Sequence, residues 1–257
     1  MDNRFLPKLG IALTLACSAV ACTQTTTATV PVTQTPPKAP FMMSADDLAR
    51  AAENRAATRY VFFPRRSHAT GVALSDDGWL LTCAHVVGGE RGDLHVIATG
   101  KDGELGVIEG KTMYVDFVND LAAVKFPARF PATVAIGDYD DMRLGERLYG
   151  ISYPFDFGES YMLGNLSGQS ASWVKLGGKH LVQREILVNV NESFGSSGSG
   201  LFRVSDGRFI GLVSNIKTRL AAGRKPMMNL VGAVPVDVIR DFLDRHRVPY
   251  QKTAPGG

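Results

Sequence analysis

The stretch HATGVALSDDGWLLTCAHVV, residues 68–87, decides the fold of this chain. Two short runs rich in Val, Leu and Ala flank the polar residues 75–78, whose Ser, Asp and Gly content is typical of a tight turn. Apolar runs joined by such a turn predict a β-hairpin. The second run brings His85 to the end of a strand, beside the following turn.

The same alternation of apolar runs and turn residues continues along most of the chain. Short apolar runs alternate with Gly and Asp turn signals: LHVIATG, ELGVIEG, MYVDFV, LAAVKF, ERLYGISYP, EILVNVN, GLFRV, RFIGLVSNI and MNLVGAVPV. Many short strands at close spacing predict an all-β fold, either a sandwich or a barrel. Helical patterns enclose them, at residues 44–59 with Ser44 as N-cap and at residues 236–246 just after Pro235.

The N-terminus has the pattern of an export signal. MDNRFLPK carries Arg4 and Lys8 and precedes a short apolar run, which predicts a signal peptide over residues 1–21. Residues 19–21 offer an ordinary A-x-A cleavage site. Residues 19–22 also resemble a bacterial lipobox, which would acylate Cys22 and anchor the chain to a membrane; residues 15–17 are a weaker second candidate. By resemblance to lipoprotein sorting rules, Thr23 favours the outer membrane over other sites.

Composition sets the remaining boundaries. The Thr- and Pro-rich residues 22–43 are predicted to be a tether, residues 44–247 a single domain and residues 248–257 a tail. If Cys17 is removed and Cys22 is acylated, Cys83 has no disulfide partner. No Cys/His cluster has metal-ligand spacing, so neither a metal nor another cofactor is expected. A net charge of +3 without a basic block argues against nucleic-acid binding.

The stretch SFGSSGSGLF, residues 193–202, is either a flexible linker or a turn that presents a nucleophilic serine. Strand patterns on both sides favour the turn. Serine hydrolysis also needs a histidine base and a carboxylate that orients it. His85 at a strand end and Asp120 before an apolar strand are the candidates.

These residues resemble the motifs of trypsin-like (chymotrypsin-fold) serine proteases. Residues 70–87 are similar to the region around their catalytic histidine, VNDLAAVKF to their aspartate element, and residues 195–199 to their nucleophile turn. Further segments are similar to the Deg/HtrA-type bacterial protease domain: GDYDDMRLGERLYGISYPFDFG, GRFIGLVSNI and LVGAVPVDVIRDFL. The resemblance covers roughly residues 60–246, and the order His, Asp, Ser agrees with it.

The resemblance implies two six-stranded antiparallel β-barrels with a short N-terminal and a C-terminal helix. It implies that Ser197 is the nucleophile, because Gly195 and Gly198 stand two before and one after it. His85 would be the base and Asp120 its orienting partner. The backbone N–H groups of Gly195 and Ser197 would form the oxyanion hole.

The resemblance also implies a substrate-binding region for proteins or peptides. Asn191, six residues before the nucleophile, would lie at the base of the primary pocket, and Ser214, Asn215 and Ile216 would form its wall and a substrate-pairing edge. Without a carboxylate at position 191, a small or medium apolar side chain is expected at the cleaved position.

Some residues depart from the family pattern. Ser196 stands where digestive proteases have an aspartate that pairs with a new N-terminus, so activation by N-terminal insertion is not expected. Cys83 is expected to be a small buried side chain, and no PDZ pattern follows the domain. The α/β-hydrolase elbow G-x-S-x-G does not fit, since Ser199 stands where its second glycine would be. A non-catalytic binding module on the same fold and an esterase remain open alternatives.

Overall fold

The computed structural model describes residues 44–63, 67–88, 94–100, 102–140, 142–156, 158–219 and 225–252. The predicted signal peptide, the tether and the acylation site at Cys22 lie outside these residues. In the described part of the chain, no helix combines the length and the apolar character that a membrane crossing requires.

Six antiparallel strands close into a first barrel: β1 (Thr58–Phe63), β2 (Ser67–Ala73), β3 (Trp79–Thr82), β4 (Leu94–Thr99), β5 (Leu105–Asp116) and β6 (Leu121–Lys125). Their spatial order is β1-β2-β3-β6-β5-β4, and the pairing of β1 with β4 completes the circle. The predicted hairpin is the β2–β3 pair. Buried side chains such as Val61, Leu80 and Phe126 fill the interior, since alternate residues of each strand point inward.

The second half of the chain forms another closed set of strands. Its order is β8-β9-β10-β13-β12-β11, and β11 pairs with both β12 and β8. Two short strands extend β12 in parallel register, first β7 and then β14. The bounds are β7 (Ala135–Ile136), β8 (Arg147–Ser152), β9 (Ser160–Leu176), β10 (Lys179–Asn189), β11 (Gly200–Arg203), β12 (Phe209–Arg219), β13 (Lys225–Pro235) and β14 (Gln251–Lys252).

The two closed barrels confirm the predicted fold class. Sequence patterns did not reveal β9, because most of its residues are exposed or half-buried and give no apolar run. The runs ELGVIEG and MYVDFV, predicted separately, belong to the single strand β5.

Three α-helices are described: α1 (Ala45–Ala57), α2 (Ala84–Gly88) and α3 (Val236–Arg245), besides a 3₁₀ turn at Pro154–Asp156. Ser44 caps α1 in a capping box with Asp47, as its sequence predicts. The helix ends two residues earlier than expected, because the backbone of Thr58 is already extended and starts β1. The four buried residues of α3 are apolar and face the barrels: Val236, Ile239, Phe242 and Leu243.

Another group of buried side chains joins the two barrels. Leu81 and Leu121 of the first barrel belong to the same apolar cluster as Tyr149 and Phe202 of the second, with Phe242 of α3 beside them. Because this cluster holds the barrels together, the loops after β3, before β6 and before β11 meet at the junction.

Candidate active site

Three loops at the barrel junction each supply one of the predicted catalytic side chains. His85 lies in the short helix α2, one turn after β3. Asp120 lies in the turn between β5 and β6 and has a φ of 56°, a conformation that Asp tolerates better than most residues. Ser197 lies in the turn before β11.

The three side chains form a continuous hydrogen-bonded chain. His85 Nδ1 lies 2.8 Å from Asp120 Oδ2, and His85 Nε2 lies 2.9 Å from Ser197 Oγ. An ionised carboxylate can only accept, so the imidazole proton must be on Nδ1. The free lone pair of Nε2 then faces the Ser197 hydroxyl, as a general base requires.

The Asp120 carboxylate is fixed from several sides. Besides the imidazole, it accepts the backbone N–H of His85 at 2.9 Å and the hydroxyl of Ser214 at 2.6 Å. Burial raises the pKa of Asp120, but the hydrogen bonds from His85 and Ser214 outweigh burial, so its pKa lies below the ordinary value. The carboxylate therefore stays ionised at neutral pH and keeps the imidazole in one tautomer.

The turn that carries Ser197 is shaped by two glycines. Gly195 has a φ of 97° and Gly198 a φ of 84°, both in the left-handed region. The N–H of Ser196 donates to the carbonyl of Ser193 at 3.0 Å, so residues 193–196 form a type II-like turn with Gly195 in its third position. A Cβ on Gly198 would collide with the carbonyl of Thr70.

Strand β2 supports this turn from the first barrel. The N–H of Thr70 donates to the carbonyl of Ser197 at 2.9 Å, and its hydroxyl donates to the carbonyl of Gly195 at 2.8 Å. Within the described part of the chain, the N–H groups of Gly195 and Ser197 have no hydrogen-bond partner of their own. These two N–H groups form the predicted oxyanion hole. That role requires donors that are free to bond to the substrate oxygen, and both groups are free to do so.

A cleft of about 420 Å³ opens beside the triad. Three of the four predicted substrate-binding residues line it, namely Ser214, Asn215 and Ile216. Asn191 is exposed and is not among the lining residues. The other residues that line the cleft are His85, Glu192, Ser193, Phe194, Ser197 and Val213.

The cleft wall rests on a buried ion pair that the sequence did not suggest. Asn215 donates to Glu185 on β10 at 2.6 Å, and the fully buried Glu185 side chain also pairs with Lys217 on β12. The hydroxyl of Ser172 on β9 donates to the same carboxylate at 2.8 Å. This pairing holds Asn215 in place on the cleft wall.

Glu192 is a second carboxyl group that sequence reasoning missed. Its Oε2 accepts the hydroxyl of Ser152 at 2.8 Å, and its Oε1 accepts the hydroxyl of Ser199 at 3.4 Å. Burial raises the pKa of Glu192 to about 7, against hydrogen bonds from Ser196, Ser152 and Ser199 that lower it. This group therefore changes its charge near neutral pH, close to the nucleophile.

The Cys83 side chain is fully buried, and its thiol donates to the carbonyl of Val213 at 3.2 Å. Potential metal-ligand atoms of Cys83, His85 and Asp120 lie within 4.8 Å of one another. Burial, together with the Asp120 charge, raises the pKa of the Cys83 thiol, which disfavours the thiolate that a metal would need. The other two groups bond to each other, so these residues are poorly suited to a metal.

Two closed antiparallel barrels with a Ser–His–Asp chain at their junction define the double-barrel class of serine hydrolases. The sequence matches the family described as "Trypsin-like peptidase domain" over residues 69–212. The chain belongs to this family, which confirms the resemblance found in its motifs.

Similar proteins agree with this assignment. The chain is 30% identical over 183 residues to a "Probable periplasmic serine endoprotease DegP-like" of Halomonas elongata, covering 71% of this chain and 36% of that protein. It is 35% identical over 152 residues to the "Putative serine protease HhoB" of Synechocystis sp., covering 58% of this chain and 34% of that protein. The chain thus spans about a third of the length of these curated relatives.

A solved structure shares the fold. "HtrA-type protease AlgW with tripeptide" superposes with a TM-score of 0.64 at 21% identity, covering 77% of this chain and 62% of that one. At this identity the likeness concerns the fold alone, and it agrees with the two-barrel architecture.

Proposed function

We propose that this protein is an exported serine endopeptidase that hydrolyses peptide bonds through Ser197, His85 and Asp120. The observation that carries the proposal is the hydrogen-bonded chain, 2.8 Å from Asp120 to the imidazole and 2.9 Å from the imidazole to Ser197. Names of similar proteins, which are serine endoproteases, support the same activity.

In the first half of the reaction, Ser197 Oγ attacks the carbonyl carbon of the substrate while its proton passes to His85 Nε2. Asp120 stabilises the imidazolium that results, and the N–H groups of Gly195 and Ser197 donate to the oxyanion. When the C–N bond breaks, His85 returns its proton to the leaving amine and an acyl-enzyme remains. Water, deprotonated by His85, then attacks the acyl carbon; the ester bond to Ser197 Oγ breaks, His85 returns the proton to that oxygen, and the acid is released.

The cleft beside Ser197 is the proposed binding site for the substrate. Phe194, Val213 and Ile216 make much of its lining apolar, which supports a small or medium apolar side chain at the cleaved position. Residues 214–216 on strand β12 are proposed to pair with the extended substrate as an added strand.

Active-site labelling tests the proposal directly. A fluorophosphonate probe is expected to modify Ser197 of the folded protein, because only an activated serine reacts quickly with it. Peptide mapping should find one modified serine, and unfolded protein should show none. Persistent lack of labelling on folded protein would favour the alternative, a non-catalytic binding module. Comparison of ester with peptide substrates separates the esterase from the peptidase.

We further propose that residues 1–21 are a signal peptide, that residues 22–43 tether the domain of residues 44–247, and that Cys22 is acylated. The motif around Cys22 and the periplasmic names of similar proteins support a place in the bacterial cell envelope, at the outer membrane facing the periplasm.

Mass spectrometry of the mature N-terminus checks this anchor. Two or three acyl chains on Cys22 are expected, enough for stable membrane attachment, whereas one chain would be marginal. An unmodified Thr23 at the N-terminus, or a free Cys22 thiol, would instead indicate a plainly cleaved protein. A Cys22→Ser variant, which should lose the acyl chains and leave the membrane fraction, is the matched control.

A further inference from the structure

The turn that presents Ser197 is held by hydroxyl groups. Ser196, the residue before the nucleophile, is buried, and its hydroxyl accepts the N–H of Ser193 across the turn at 3.3 Å. The same hydroxyl lies 3.3 Å from the Ser152 hydroxyl, which belongs to strand β8. The conformation of the turn therefore depends on what these buried hydroxyls bond to.

They converge on the carboxyl group of Glu192. Ser152 donates to it at 2.8 Å and Ser199 at 3.4 Å, and the Ser196 hydroxyl is connected to it through Ser152, to whose hydroxyl it donates at 3.3 Å. Ser196 and Ser199 stand one residue before and two residues after Ser197. One carboxyl group thus connects β8 with both sides of the nucleophile.

The second barrel leaves room for this carboxyl group. A Cβ on Gly150 of β8 would lie 2.6 Å from Glu192 Oε1, so the carboxyl packs against bare backbone. Within the described residues, the titratable groups on nearby elements form no hydrogen bond or ion pair with it: His85, Arg147, Tyr149, Tyr153 and Arg203. The serine hydroxyls are its partners.

The charge of Glu192 sets the direction of these hydrogen bonds. A carboxylate only accepts, so the Ser152 and Ser199 hydroxyls can both donate to it while Ser196 donates to Ser152. A protonated carboxyl group must itself donate, which forces one hydroxyl to turn away. Because the Ser196 hydroxyl also accepts the N–H of Ser193, such a change reaches the turn that contains Gly195.

We propose that Glu192, as a carboxylate, is a positioning residue that holds residues 193–197 in the conformation with the N–H groups of Gly195 and Ser197 free. The inference rests on the proposed function, since its effect is on oxyanion binding. Glu192 acts through the turn and does not touch the substrate's reacting atoms. Glu192 thus holds the turn from within the protein. Ser196, at the position before the nucleophile, has no charge with which to form an ion pair there.

This role predicts two ionisations on the acid side of the activity profile. His85 must be neutral to act as a base, and Glu192 must be charged to hold the turn. Over the pH range where Glu192 titrates, the acid limb of the plot of log kcat/KM against pH should therefore be steeper than a slope of one, approaching two. Since the pKa of Glu192 lies at about 7, its ionisation falls within the measurable range.

The test compares wild-type protein with Glu192→Gln on one peptide substrate. The amide keeps the shape of the side chain without a charge. The steep part of the acid limb should disappear and the slope should not exceed about one, because position 192 no longer changes its charge. The plateau of kcat should fall about 10- to 100-fold with KM nearly unchanged, as expected for a partly disordered oxyanion hole. Glu146→Gln, at a half-buried carboxylate that pairs with Arg203 away from the turn, should keep the steep acid limb of the wild type.

Thermal unfolding shows whether Glu192→Gln is folded. If it is not, Ser152→Ala provides a second measurement. Loss of a donor to the charged form should move the acid limb to higher pH. An unchanged slope in Glu192→Gln, or an unmoved limb in Ser152→Ala, would overturn the positioning role while leaving the protease intact. A rise of KM without a fall of kcat would also overturn it. Wild-type protein inactive at every pH would overturn the proposed function as well.

Discussion

Replacement of Ser197 by alanine is expected to lower kcat by about three to six orders of magnitude. The hydroxyl that lies 2.9 Å from His85 Nε2 is lost, and no acyl-enzyme can form. The remaining activity would come from the oxyanion donors and from substrate binding, which are still present. KM should change little, because the cleft walls are untouched.

Steady-state kinetics on a peptide substrate, with folding checked by circular dichroism and thermal unfolding, measures this loss. Ser170→Ala is a matched control, since Ser170 is an exposed serine on β9, and its activity should equal that of the wild type. Turnover by Ser197→Ala within tenfold of the wild type would exclude Ser197 as nucleophile. It would leave the observed triad without a catalytic role.

The meeting of His85, Asp120 and Ser197 could be predicted because each of them adjoins a strong local pattern. His85 follows the apolar run of β3, Asp120 precedes the run of β6, and Ser197 lies in a glycine-rich turn. The fold could be predicted for a similar reason, as many strands are apolar runs followed by turns that contain Gly or Asp. An exception is β9, whose Ser and Gly residues interrupt the apolar positions, so that no apolar run marks the strand.

The substrate side was harder to predict, because it depends on which way a few side chains point. Counting six residues back from Ser197 leads to Asn191. In the structure Val190 is buried, Asn191 is exposed and Glu192 is half-buried, with its carboxyl group bonded to Ser152. Its partner Ser152 is 40 residues away, so neither the contact nor the burial can be read from the local sequence.

Asp120→Asn should reduce kcat by about four orders of magnitude, although an asparagine side chain has almost the same shape as an aspartate. An asparagine side chain presents an N–H group to His85 Nδ1 as readily as an oxygen. Its Oδ1 can still accept the backbone N–H of His85, which now binds Asp120 at 2.9 Å, and the amide then faces the ring. The imidazole responds by carrying its proton on Nε2, where it can no longer accept the proton of Ser197.

The low pKa of Asp120 ensures that the wild-type protein avoids this state at neutral pH, since its carboxylate stays ionised. Kinetics and the rate of fluorophosphonate labelling should fall together in Asp120→Asn, because both need the same proton transfer. Asp138→Asn, at a half-exposed carboxylate paired with Arg240, is the matched control and should keep full activity. If Asp120→Asn retained wild-type labelling, the imidazole would not need its orienting carboxylate, and Ser197 would have to be activated by His85 alone.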